Sequence, residues 1–216
     1  MKSQDALAKI VAGVGKFQRD LFPERRQFFG RLRQRQQPIA MFLTCADSRI
    51  VPNLLMQTEP GEVFIERTVG NIVPRYSDHV GGVTAGVEFA VLALHVPLMI
   101  VCGHTDCGVM KALLQPENAS GMPALQSWMR HALPARERLL RDNPAANGDE
   151  KLRLLTQYNV LMQLENLKTH PAVEAALARG ELALQGWVYD IADGEVLAAD
   201  SATGDFHALS GAAAKV

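Results

Sequence analysis

The chain has 216 residues, 48% hydrophobic and 21% charged, and 22 Lys and Arg against 23 Asp and Glu leave a net charge of −1. This is the composition of a globular protein long enough to bury a core unaided, and it excludes a strongly basic nucleic-acid binder. Three cysteines are too few, and odd in number, for a disulfide scaffold, which leaves reduced thiols available for packing, catalysis or a metal.

In chain order, residues 5–36 read as helical, broken near Pro23. Arg19, Arg25, Arg26, Arg31, Arg33 and Arg35 crowd there, but Phe28, Phe29 and Leu32 give the same stretch an apolar face, so the arginines read as its solvated side. Residues 39–44 form a continuous apolar run, the pattern of a strand buried on both faces. Pro52 opens a short helix through Met56, and Pro60-Gly61 turns the chain into a second strand at 63–65. Gly81-Gly82 leads into a helix with apolar Val83, Val87, Ala90, Val91 and Leu94, which Pro97 ends. A third buried strand follows at 98–102. Beyond a short helix at 109–114 and a looser stretch with Pro116, Gly121 and Pro123, two or three amphipathic helices fill 124–179. Residues 182–191 return to strand, Asp193-Gly194 is a hairpin turn, and 195–199 is an antiparallel edge strand.

Strands alternating with helices predict an α/β fold: a mainly parallel central β-sheet with an antiparallel edge strand, flanked by helices and preceded by a helical arm. The expectation is one domain over 1–216, with the arm at 1–36 and a frayed tail at 210–216. No secretory signal is read at the start, and Glu88, His95 and Pro97 interrupt the longest apolar region, 83–102, so no membrane span is expected there. The expected location is cytoplasmic.

Ligands of open parallel sheets bind beyond the carboxyl ends of the strands. Two strand ends here are chemically unusual: one runs into Cys45-Ala46-Asp47-Ser48-Arg49, the other into Gly103-His104-Thr105-Asp106-Cys107-Gly108. Taken alone, Cys45 reads as a small buried hydrophobe, His104 as a structural hydrogen-bonding residue, and Cys102, inside its apolar run, as core. Taken together, Cys45, His104 and Cys107 are two thiolates and an imidazole at the ends of strands that could be neighbours. That donor set suits zinc and not magnesium or calcium, and three protein ligands leave one position open, as in catalytic zinc sites. Asp47, two residues from a ligand, can accept a hydrogen bond from an oxygen on the metal and so orient it, while Arg49 holds the carboxylate ionised. A plain structural ion pair is the alternative reading of Asp47 and Arg49.

C-A-D-S-R at 45–49, followed 59 residues after its cysteine by H-T-D-C-G, resembles the β-class carbonic anhydrases, whose pattern is C-x-D-x-R and H-x-x-C. The similarity extends through Pro60-Gly61-Glu62-Val63-Phe64, Gly70-Asn71-Ile72-Val73, Val87-Glu88-Phe89-Ala90-Val91 and Gly186-Trp187-Val188-Tyr189-Asp190-Ile191. Lys16-Phe17-Gln18 and the closing motif are similar to bacterial members of the plant-like branch that are encoded with cyanate-degrading enzymes. The resemblance implies reversible hydration of carbon dioxide to bicarbonate and a proton by a zinc hydroxide. One zinc per chain would sit on Cys45, His104 and Cys107, with Asp47 and Arg49 as the orienting dyad. It further implies that Gln36 hydrogen-bonds the substrate, that Phe64, Val69 and Phe89 line a small apolar pocket, and that Gly108 supplies a backbone N–H. It implies self-association as a dimer or higher even-numbered oligomer, with the pocket built across the dimer and the arm around Phe28 and Phe29 wrapping a second copy; composition and the interrupted apolar region predict no nucleic-acid or membrane partner.

Departures from the family pattern are local. A bicarbonate-regulated branch has tryptophan where this chain has Phe42, although Arg67 and Tyr189 match the rest of that trio; this favours the open form, in which Asp47 pairs with Arg49. Thr68 replaces a common asparagine and Ala46 a common serine. Three alternatives stay open: hydrolysis of carbonyl sulfide or carbon disulfide on the same scaffold, a non-catalytic zinc protein that binds bicarbonate, and a metal-free cysteine nucleophile with His104.

Overall fold

The apolar runs at 39–44 and 98–102 become neighbouring strands at the centre of one sheet, where a segment apolar on both faces is covered from both sides. The computed structural model describes residues 2–76 and 81–209. Its strands β1 (Ala40–Cys45), β2 (Val63–Thr68), β3 (Leu98–His104), β4 (Ala183–Tyr189), β5 (Val196–Ala199) and β6 (Phe206–Ala208) lie in the order β2-β1-β3-β4-β5-β6. The first four in that order run parallel, and β5 and β6 are antiparallel. The mainly parallel sheet with an antiparallel edge is therefore as expected, with β6 added beyond the sequence reading. The tail at 210–216 lies outside the described residues.

The chain packs as two compact units, one ending at Gln37 and the other beginning at Pro38. The first is helical: α1 (Ser3–Lys16), a π-type turn Phe17–Leu21, α2 (Phe22–Glu24) and α3 (Arg26–Leu32). Phe17, Phe22, Phe28 and Phe29 pack on one another with ring centroids 5.3 to 5.9 Å apart, and the Arg25 guanidinium lies 4.5 Å from the Phe28 ring centre. Phe28 and Phe29 are thus occupied within the unit, and the exposed apolar stripe is instead Leu7, Ile10, Val11 and Val14 of α1. Gln36 is exposed at the end of this unit.

In the second unit α4 (Pro52–Met56) connects β1 to β2, and α5 (Gly82–Leu92) precedes β3. Between β3 and β4 lie α6 (Gly108–Leu114), α7 (Pro123–Met129), α8 (Leu133–Asp142), α9 (Gly148–Lys168) and α10 (Pro171–Ala178). The stretch from 123 to 178 thus holds four helices where two or three were expected, with prolines in the first turns of α7, α8 and α10 marking fresh starts. Met41, Leu43, Met99 and Val101 face Val87, Ala90, Val160 and Val173 in the main core. Phe42, Ile100 and Cys102 occupy the opposite face of the same strands. Cys102 is a core residue as expected, its thiol pushed up to about 12 by burial. No helix among the described residues is long and apolar enough to cross a membrane.

Two turns at the antiparallel edge use one device. The Asp190 carboxylate accepts from the N–H groups of Ala192 and Asp193 before Gly194, and the Asp200 carboxylate accepts from Ala202 and Thr203 before Gly204. Both glycines have the positive φ that ends such turns. α9 approaches the sheet closely at Gly186 of β4, where an added Cβ would stand 2.8 Å from a Val160 methyl and 3.0 Å from a Leu164 methyl. Gly186→Ala should therefore cost about 1–3 kcal/mol by overpacking, read as a lower urea midpoint with an unchanged slope; an unchanged midpoint would mean that α9 is not seated against β4 as described.

Candidate metal centre

β1 lies between β2 and β3, so the chain leaves β1 toward one side of the sheet and returns on the other. The crevice at the carboxyl ends of β1 and β3 is the switch point of this topology. The register pairs Thr44 with Cys102, which brings Cys45 and His104 to the same edge. Cys107 follows in the turn that starts α6. The two thiol sulfurs and a ring nitrogen of His104 all lie within 4.8 Å of one another, and all three residues are buried.

The histidine is set for this role by its backbone neighbourhood. His104 Nδ1 lies 2.8 Å from the Thr105 carbonyl oxygen, which can only accept, so the ring proton sits on Nδ1. Nε2 then carries a lone pair, is fully buried, and has no hydrogen-bond partner among the described residues. Thr105 is itself fixed by β4, its N–H donating to the Tyr189 carbonyl and its hydroxyl accepting from the Ile191 N–H. A buried imidazole nitrogen left without a donor, facing two sulfurs, is costly unless something electron-poor fills the gap. The donor set, two sulfurs and one nitrogen, fits zinc.

The two thiols are electrostatically matched. The adjacent Cys107 thiol favours the Cys45 thiolate and holds it well below the ordinary range, while that thiolate and burial push Cys107 up. The Gly70 N–H donates to Cys45 Sγ at 3.4 Å. Backbone N–H groups of Met110 and Val109, in the first turn of α6, favour the Cys107 thiolate. Gly108, expected to offer its N–H, is the first residue of that helix.

Asp47 and Arg49 form a two-point pair: Arg49 Nε donates to Asp47 Oδ1 at 3.0 Å and Nη2 to Oδ2 at 2.8 Å. This pair, above all, holds the Asp47 carboxyl far below the usual carboxylate range. Asp47 Oδ2 lies 3.8 Å from His104 Nε2, so the carboxylate borders the cluster. Arg49 also donates from Nη1 to Asp106 Oδ2 at 3.1 Å and from Nη2 to the Asp106 carbonyl at 3.3 Å. Asp106 in turn pairs with Lys111. Arg49 thus joins the two ligand-bearing turns, a role that the sequence reading did not assign to it or to Asp106. The residue signal was present in H-T-D-C-G, but only tertiary structure shows which cation its aspartate meets.

Arg67 and the 69–73 segment complete the frame. The Arg67 guanidinium donates to the carbonyls of Cys45 and Asp47 at 3.1 and 3.3 Å, and to that of Ile50, so it is committed to the first ligand turn. Phe42 is fully buried against Trp187, with ring centroids 6.1 Å apart. The Thr68 hydroxyl closes the following turn by donating to the Ile72 carbonyl at 2.9 Å. The indole N–H of Trp128 donates to the Val69 carbonyl at 2.8 Å. Asn159, Gln163 and Asn166 of α9 bond the backbone of Gly70 and Val73.

The expected pocket residues divide. Val69 is next to Gly70 and partly exposed. Phe64 pairs in register with Met41, four residues before the Thr68–Cys45 pair, so it lies roughly 13 Å back along the strand from the ligand level. There it packs on Phe89, with ring centroids 6.0 Å apart. The chain's own Phe64 and Phe89 are therefore grouped together at a distance from the chain's own cluster.

Comparison with known proteins gives the same direction. The family model described as carbonic anhydrase matches residues 40–196. A carbonic anhydrase of Pseudomonas aeruginosa is 46% identical over 201 residues, covering 93% of this chain and 91% of the relative. The solved structure of the β-carbonic anhydrase CcaA superposes with a TM-score of 0.92 at 38% identity, over 95% of this chain and 93% of that one. A structure reporting two tetrameric β-carbonic anhydrases from Sordaria macrospora matches with a TM-score of 0.76 at 26% identity, over 90% and 95% of the two chains. Sequence identity of this extent, on a sheet that converges a Cys-His-Cys cluster at its switch point, makes the chain a member of the β-class carbonic anhydrases, a family of lyases.

Proposed function

We propose that the protein catalyses the reversible hydration of carbon dioxide to bicarbonate and a proton, with one zinc ion on Cys45, His104 and Cys107. The observation that carries this reading is the orphaned, fully buried Nε2 of His104 beside two thiols. When bound, zinc supplies the Lewis acidity that makes water a nucleophile near neutral pH. Asp47, ionised and acceptor-only, borders that position and takes a hydrogen bond from the attacking water at Oδ2, which turns the oxygen lone pair toward the substrate. Both carboxylate oxygens are already engaged by Arg49, which favours the open form, in which Asp47 pairs with Arg49 and is not itself a ligand. Gln36 and the Gly108 N–H are the proposed polar contacts of the substrate.

The apolar pocket is best supplied between copies. Phe64 and Phe89 sit away from their own chain's ligand turn, so in a dimer they would serve the partner's site, with Val69 contributed locally. The two β-carbonic anhydrases of Sordaria macrospora are tetrameric, in keeping with an even-numbered assembly. The three free thiols suit a reducing, cytoplasmic setting.

Purified protein should hold one zinc per chain and hydrate carbon dioxide in a stopped-flow indicator assay; zinc-loaded protein without activity would refute the reading. Asp47→Ala should retain zinc and lose about 100-fold or more in turnover, whereas unchanged turnover would remove the orienting role. The Asp47 carboxyl, ordinarily near 3.8, is lowered in the fold, so the stabilising pair is intact above that pH and is lost only as pH falls below it. In a carboxyl-carbon NMR titration of the native protein, Asp47 should still be ionised at about pH 3, below the ordinary aspartate range. Protonation at an ordinary aspartate pH would contradict the two-point pair.

A further inference from the structure

We propose that Trp128 is a positioning residue for the metal centre, acting through the Val69–Gly70 peptide on Cys45. This rests on the reading of Cys45, His104 and Cys107 as metal ligands. The Val69 carbonyl and the Gly70 N–H belong to one peptide plane and point in opposite directions. On one side the Trp128 indole N–H donates to the Val69 oxygen at 2.8 Å. On the other side the Gly70 N–H donates to Cys45 Sγ at 3.4 Å. The indole therefore both aims the peptide and polarises it, strengthening the N–H···S bond at its far end.

Gly70 needs such a hold. Its φ of +75° and the 2.8 Å approach that a Cβ would make to Val109 restrict the position to glycine, the residue least able to fix its own backbone. The next peptide is held from the opposite side, where Asn159 Nδ2 donates to the Gly70 carbonyl at 3.1 Å. Asn159 is in turn oriented by Gln163, whose Nε2 donates to Asn159 Oδ1 at 2.8 Å. Asn166 completes the buried amide row but grips the Val73 carbonyl, three residues further on. The structure thus separates a contact that touches the sulfur-bonded peptide from one that only fastens the segment.

Trp128→Phe removes the indole donor and keeps an aromatic ring against His131, which packs on Trp128 at 5.5 Å. Asn166→Ala serves as the comparison: it removes the direct hold on Val73 and reaches the Gly70 peptide only indirectly, through Gln163 and Asn159. Each protein is loaded with cobalt in place of zinc, and its thiolate-to-metal charge-transfer band and its rate of zinc loss to a chelator are recorded beside a thermal melt. A weaker hydrogen bond to sulfur raises the energy of its lone pairs, so the band of Trp128→Phe should move to lower energy and zinc should leave about tenfold faster. Asn166→Ala should lower the melting temperature and leave the band in place. A Trp128→Phe band identical to that of the unsubstituted protein, or an equal shift in Asn166→Ala, overturns the proposal. No thiolate–cobalt band in the unsubstituted protein would overturn the metal reading itself, and this inference with it.

Discussion

The parallel pairing of β1 with β3 is the constraint on which the rest depends. Thr44 opposite Cys102 places Cys45 level with the end of β3, where His104 follows. A slip of one residue would move every apolar side chain of β1 to the other face, so the two-sided core fixes the ligands as firmly as it fixes the strands. Met41 and Leu43 are spoken for on one face and Phe42 on the other. The register is thereby a consequence of burial, and the cluster is a consequence of the register.

Beyond the strand ends the backbone is irregular, and burying it requires that its polar groups find partners. Some of these groups bond other backbone, as Ala46 N–H does the Thr68 carbonyl, and side chains take many of the rest. Arg67 takes three carbonyls of the first ligand turn, Arg49 ties that turn to Asp106 in the second, and the amides of α9 bond the 70–73 segment. The same residues that satisfy the backbone also hold the thiolates, the imidazole and the Asp47 carboxylate where a metal and a small substrate would meet. Rigidity of this kind is what orients a reaction whose substrate offers few handles of its own.

Much of this was legible in the residues. The uninterrupted runs at 39–44 and 98–102 predicted buried parallel strands, and C-A-D-S-R with H-T-D-C-G predicted a cluster at their ends. Both readings rest on local signals: apolar continuity for a strand, and ligand chemistry beside a strand end. Asp193-Gly194 likewise carried its turn locally, whereas β6 was too short and too polar at His207 to stand out. The links through Asp106, Trp128, Asn159, Gln163 and Asn166 could not be read, because each depends on a partner far along the chain and on no periodic pattern. Thr68, which looked like a lost amide, proved to close its own turn through its hydroxyl. Phe29 of the apolar face packs on the nearby Phe17 and Phe22, and Phe28 packs on Phe29, contacts between rings several residues apart that the arginine-rich sequence did not single out.

We infer that the orphaned imidazole nitrogen and the two sulfurs are one zinc site. X-ray absorption at the zinc edge of the purified protein tests it without recourse to activity. One zinc per chain is expected, with two sulfur donors and one nitrogen donor from the protein, and with reduced sulfur scattering in Cys45→Ser and Cys107→Ser. Zinc bound without sulfur, or a folded protein that takes up no zinc, would contradict it.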